Sequence, residues 1–101
     1  MKLGKVVGSV VATHKHDQLV GHKLLIVRQL KPEPGGSLIP APGSNEFTVA
    51  IDLVGAGTGE TVLYTSGSSA RNVASSTHDN PVDEAIVGIV EQADFNTNEV
   101  R

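Results

Sequence analysis

The chain has 101 residues, 39% of them apolar and only three aromatic, and its 8 Lys+Arg against 11 Asp+Glu leave a net charge of −3. That length fits one small domain rather than two cores, and the acidic balance argues against a broadly basic nucleic-acid surface. The absence of cysteine excludes disulfides, thiolate metal sites and a Cys nucleophile. Met1-Lys2 precedes an apolar stretch, but Gly4, Lys5, Gly8 and Ser9 break it, so no signal-peptide core of the required length forms. The longest aliphatic run elsewhere, Leu24 to Val27, falls far short of a membrane span. The expectation is a cytoplasmic chain with no membrane partner.

Strand signals dominate. Leu3 to Thr13 is Val-rich, and Gly4 and Gly8 within it suggest a bulge or tight bend of the kind small barrels need. His14 to His22 reads as a polar loop, with Gly21 available for a positive φ. Lys23 to Leu30 is a second strand with Leu24, Ile26 and Leu30 on one face and Leu25 and Val27 on the other, which predicts burial on both faces. Residues 31–45 hold four of the five prolines and read as a projecting loop that excludes a helix or an interior strand.

Glu46 to Val54 alternates, and its apolar set Phe47, Val49, Ile51 and Leu53 is predicted to face inward, opposite Glu46, Thr48 and Asp52. A turn at Gly55-Ala56-Gly57-Thr58-Gly59 precedes a fourth strand, Glu60 to Ser66, and Ser68 to Val73 suits one N-capped helical turn. Ala85 to Val90 is a fifth strand. The predicted fold is all-β with one short helical turn, a small five-stranded OB-like Greek-key barrel. Residues 1–93 form the single domain, with the Pro/Gly loop 31–45 inside it, and 94–101 form a C-terminal tail.

Each candidate for chemistry has a plainer reading. His14, His16, His22 and Asp17 offer metal-ligand atoms, but no apolar framework fixes them, and a surface histidine cluster is favoured. Gly55, Gly57 and Gly59 follow a strand as a phosphate loop should, yet the spacing is GxGxG and no helix opens behind it. A close-packed glycine turn is the better reading. Gly67-Ser68-Ser69-Ala70-Arg71 resembles half a nucleophile elbow with the closing glycine replaced by Arg71, so an N-capped turn with Arg71 paired to a carboxylate is favoured. No catalytic residue, metal or cofactor is assigned. A nucleic-acid-binding barrel needs exposed rings and cations, which this reading does not find. Strands greasy on both faces call instead for a partner, and copies of the same chain are the natural one.

Three blocks in order, LGKVVGSVVATHKHDQLVGHKLLIVRQL, DLVGAGTGETVLYTSGSSAR and NPVDEAIVGIVE, resemble the vertex proteins of bacterial microcompartment shells, the carboxysome and ethanolamine-utilisation type. The resemblance runs from about Lys2 to Val90. It implies a barrel that assembles into a cyclic homopentamer, performs no catalysis, and closes the five-fold corners of a polyhedral shell whose flat facets are hexameric or trimeric shell proteins. It also implies subunit contacts through Ser68, Ser69, Ala70 and Arg71, with Asp83 a candidate partner of Arg71, and places Gly55 to Gly59 in the ring packing near the axis. The competing expectation is a free OB-type module for single-stranded nucleic acid or peptide. A small hydrolase or metal enzyme built on the histidines is a third.

Overall fold

The structure is a computed structural model and describes residues 1–12, 21–42, 47–67, 83–96 and 98–99. Six strands follow in chain order: β1 Lys2–Val10, β2 Leu24–Pro32, β3 Leu38–Pro40, β4 Phe47–Asp52, β5 Thr61–Ser66 and β6 Glu84–Ile89. Neighbours run β1–β5–β6–β4–β2, and β1 pairs again with β2, so five strands close a barrel with β3 attached outside it. The order agrees with the expected five-stranded barrel and is compatible with its OB-like detail. Every pair is antiparallel except β4–β6. The expected helical turn at Ser68 to Val73 lies outside the described residues.

The loop 31–45 is not strand-free, which corrects the sequence reading. β2 pairs with β1 and β4 no further than Gln29, and its last residues pair only with β3, Leu30 opposite Pro40 and Pro32 opposite Leu38. Proline is tolerated there because β3 is an edge strand that needs no donor on its open side. A turn at 33–37, closed by Glu33 N–H to Ser37 O at 2.9 Å and Gly36 N–H to Glu33 O at 3.0 Å, completes this outlying arm.

The interior is filled by Val6, Leu25, Val27, Ala50, Ala56, Val62, Tyr64 and Ile86. Burying a Val, Leu or Ile side chain contributes about 1.5–3 kcal/mol each, so this cluster supplies most of the driving force for closure. β4 overturns its predicted orientation. Ala50 and Asp52 are buried on the inner side, while Phe47 is 54% and Val49 49% exposed. The interior at β4 is narrow enough to demand Ala50, and the bulkier alternating residues point out. Ile51 is buried as well, but in a second, smaller cluster with Ala85, against which Leu24 and Leu53 pack. The two-sided burial expected of β2 holds in part, with Leu25 and Val27 buried and Leu24 and Ile26 half-buried, whereas β4, expected to be apolar on one face only, is buried on both at its end, Ala50 to Asp52.

Candidate functional site

Three features stand where function-bearing groups were sought. The first is the turn after β4. Asp52, 7% exposed, ends β4 pointing inward, and its Oδ1 accepts the N–H groups of Val54 at 3.1 Å, Gly55 at 3.2 Å and Ala56 at 3.2 Å. Lys23 Nζ donates to the Ala56 carbonyl at 3.0 Å and lies 3.7 Å from Asp52 Oδ2. Ala56 is thereby driven into the barrel core, closing that end. Gly55 and Gly59 have φ of +79° and +93° and so require glycine. Gly57 instead donates its N–H to Glu60 Oε1 at 2.7 Å, and the Gly59 N–H donates to Val6 O at 2.8 Å.

This turn has the amides of an anion-binding loop, but the protein's own Asp52 carboxylate already occupies them. The geometry supports the glycine-turn reading over a phosphate loop. Asp52 was missed because alternation assigned it to the polar face. The signal available was its place two to four residues before a glycine-rich turn, where Asp commonly accepts backbone N–H groups.

The second feature is the opposite barrel end. All five barrel strands reach a polar cleft of 220 Å³, β4 with Phe47 and Thr48 and the others with one residue each, Lys2, Gln29, Tyr64 and Glu84. Lys2 Nζ stands 6.0 Å from the centre of the Tyr64 ring, at the outer limit of a cation–π contact. Among the described residues, Glu84 Oε2 is buried without a hydrogen-bond partner. Burial pushes the Glu84 carboxyl above the usual carboxylate range, with Lys2 opposing and Asp83 adding to the rise. Burial, then the Glu84 charge, raises the Tyr64 phenol likewise.

The folded chain thus binds the Glu84 proton more tightly than the unfolded one. The associated stability is fully present below the ordinary carboxylate value and is lost as pH rises through the raised folded value. Glu84→Gln, which resembles the protonated acid, is expected to melt above the native chain at neutral pH, with the gap closing on acidification. Melts across that range check this, and a gap independent of pH would clear the carboxylate of responsibility.

The third feature is the outer face of β2 and β4. Arg28 stacks over Phe47 at 5.4 Å from guanidinium carbon to ring centre. In register, Leu24 faces Ile51, Ile26 faces Val49 and Arg28 faces Phe47. Phe47 was expected inside and counted out as a stacking ring. It is outside, yet it is a single ring already covered by a guanidinium, not the series of platforms a single strand of nucleic acid needs.

Of the other predicted residues, Gly55, Gly57 and Gly59 share the turn, Asp83 precedes β6, and His22 precedes β2. Ser68, Ser69, Ala70, Arg71, His14, His16 and Asp17 lie outside the described residues. Among the described residues no group of three potential metal ligands occurs.

Comparison with known proteins assigns the fold to a family. Residues 1–91 match the family model described as ethanolamine utilisation protein EutN/carboxysome. The chain is 47% identical over 91 residues to the bacterial microcompartment shell vertex protein PduN of Salmonella typhimurium, covering 90% of this chain and 96% of PduN. It is 40% identical over 91 residues to the carboxysome shell vertex protein CcmL of Thermosynechococcus vestitus, covering 90% and 84%. The solved GrpN pentameric microcompartment shell protein from Rhodospirillum rubrum superposes with a TM-score of 0.77 at 43% identity, over 95% of this chain and all of that one. Matched across nearly its whole length in sequence and in fold, the chain belongs to the EutN/CcmL family.

Proposed function

We propose that the chain is a vertex protein of a bacterial microcompartment shell, a homopentamer that closes the five-fold corners around encapsulated enzymes. The observation that carries this is 47% identity, over nine-tenths of the chain, to a shell vertex protein, joined to the structural match with a pentameric shell protein. The role is geometric. Facets of hexameric tiles lie flat, and a closed polyhedron needs twelve five-fold positions to curve shut. A rigid barrel pinned at one end by Asp52 suits a part that acts through shape.

The facets it meets are hexameric or trimeric shell proteins, and its place is the cytoplasmic shell. Within the ring, Ser68, Ser69, Ala70 and Arg71 make subunit contacts, with Asp83 opposite Arg71, a pairing that rests on resemblance and charge. Native mass spectrometry at low micromolar concentration is expected to show a dominant species of five times the 10.5 kDa chain mass. A monomer at that concentration overturns the reading.

A further inference from the structure

The barrel end that carries the polar cleft is built as a cup. Side chains alternate along each strand, and the inward-facing sets end at this mouth in Lys2, Gln29, Thr48, Tyr64 and Glu84. One step deeper the same sets continue as Gly4, Val27, Ala50, Val62 and Ile86, all buried. The floor is sealed, since a Cβ added at Gly4 would already collide with Val27 and press on the Tyr64 ring. Two opposite charges stand on the rim. Lys2 on β1 and Glu84 on β6 flank β5, so roughly 10 Å of sheet separates their backbones. The Tyr64 ring lies between them, with Tyr64 opposite Lys2 and Glu84 opposite Ser66, two residues further along β5. Lys2 is near enough to pull on the Glu84 carboxyl, yet the two do not close into an ion pair.

We propose that this cup binds a small zwitterion of the α-amino-acid kind, its ammonium on the Glu84 carboxylate and its carboxylate on Lys2, with the Thr48 hydroxyl and the Gln29 amide completing its hydrogen bonds. One carboxylate oxygen of Glu84 is buried without a partner among the described residues, and a buried charge left uncompensated costs the fold stability. An ionisable group kept in a cleft at such a cost marks a binding site. An amine alone would set its charge against Lys2, and an anion alone would sit against Glu84. A ligand carrying both signs matches the cup, and a cleft of 220 Å³ admits a small amino acid. The groups facing Glu84 are Lys2 from β1 and Tyr64 from β5, with Asp83 beside it in sequence, while β2 and β4 bring the uncharged Gln29 and Thr48. Every one of these groups comes from a single chain, so the inference does not depend on the pentameric reading.

Tyr64 is the only tyrosine and the chain has no tryptophan, so its fluorescence reports on this cleft alone. Titrating L-alanine into the full chain at neutral pH is expected to change that emission saturably, with half-saturation in the millimolar range. Methylamine and acetate, which carry one of the two charges each, are expected to need at least about tenfold more. Glu84→Gln and Lys2→Met are each expected to weaken L-alanine about tenfold or more. Circular dichroism verifies that both variants fold, and Glu84→Gln is expected to be the more stable protein, so its lost response is not lost structure. Acidification protonates Glu84 and is expected to weaken binding to the native chain. Absence of a saturable change with L-alanine overturns the site. Methylamine saturating as readily as L-alanine, or Lys2→Met binding L-alanine like the native chain, would make the cup a cation site and overturn the zwitterion. Undiminished binding to Glu84→Gln, or binding to the native chain that ignores acidification, would overturn the role of the carboxylate.

Discussion

Gly4→Ala is expected to destabilise the chain by about 2–3 kcal/mol, a fall in melting temperature of about 10–20 °C for a domain of this size. The reason is the position of Gly4 at the tightest point of closure. It is buried on β1, opposite Gln29 of β2 on one side and Val62 of β5 on the other. A methyl group there would collide with Cγ1 of Val27, come within 2.8 Å of the Tyr64 ring and within 3.2 Å of the Arg28 carbonyl. Two of the three obstacles are a packed core side chain and a backbone oxygen, neither of which yields cheaply in a close-packed interior. Gly8→Ala is the control, since its Cβ would meet only Ile26 Cδ1 at 3.5 Å, and its expected effect is within about 0.5 kcal/mol. Thermal melts at matched protein concentration compare the two. Equal effects would show that β1 yields at Gly4 and that closure is looser than the packing implies.

The second large effect is expected from Asp52→Ala, at about 3 kcal/mol in denaturant unfolding, because it strands three amide donors that share the carboxylate as acceptor. Val54, Gly55 and Ala56 lose their shared acceptor at once, and the last of these is buried. Asp52→Asn keeps one oxygen in place and is expected to cost about 1 kcal/mol. Lys23→Met tests the ion pair separately. The lysine side chain is 60% exposed, so its contribution is screened and at most about 1 kcal/mol. If Lys23→Met cost as much as Asp52→Ala, the ion pair rather than the amide cradle would be holding the turn.

Much of the barrel was legible because the strands obey period two and the turns between them are marked by Gly and Pro. All five barrel strands fall within a few residues of their predicted bounds, and Gly21 has the positive φ its loop position suggested, at 88°. The orientation of β4 was not legible. Phe47-Thr48-Val49-Ala50-Ile51 alternates large with small, and the rule that large apolar residues face inward fails in a small barrel that is apolar on its outside too. Ala50 fills the inner site because its cross-strand neighbour Leu25 and the opposing wall, Val6, Val62 and Tyr64 among it, leave no more room. The same exchange hid Asp52, whose inward direction becomes intelligible only once its three amide partners are placed. β3 escaped notice because proline counts against a strand unless the strand is known to be an edge, which is a fact of pairing rather than of composition. The resemblance supplied the rest, since no spacing of residues dictates five copies rather than four or six.

The double engagement of β1 has a consequence for how the chain reaches its native state. Its Lys2 pairs with Tyr64 of β5, and its Gly4 faces Gln29 of β2. The first strand to leave the ribosome is therefore held on one side only until β5, made more than half a chain later, reaches its other edge. β1, β2 and β4 can meet early as an antiparallel meander of modest loop cost, but closure waits for β5 and for β6, which joins β5 to β4, and such long-range pairings slow folding. Until then both edges of that meander stay open, and open strand edges invite association with the wrong chain.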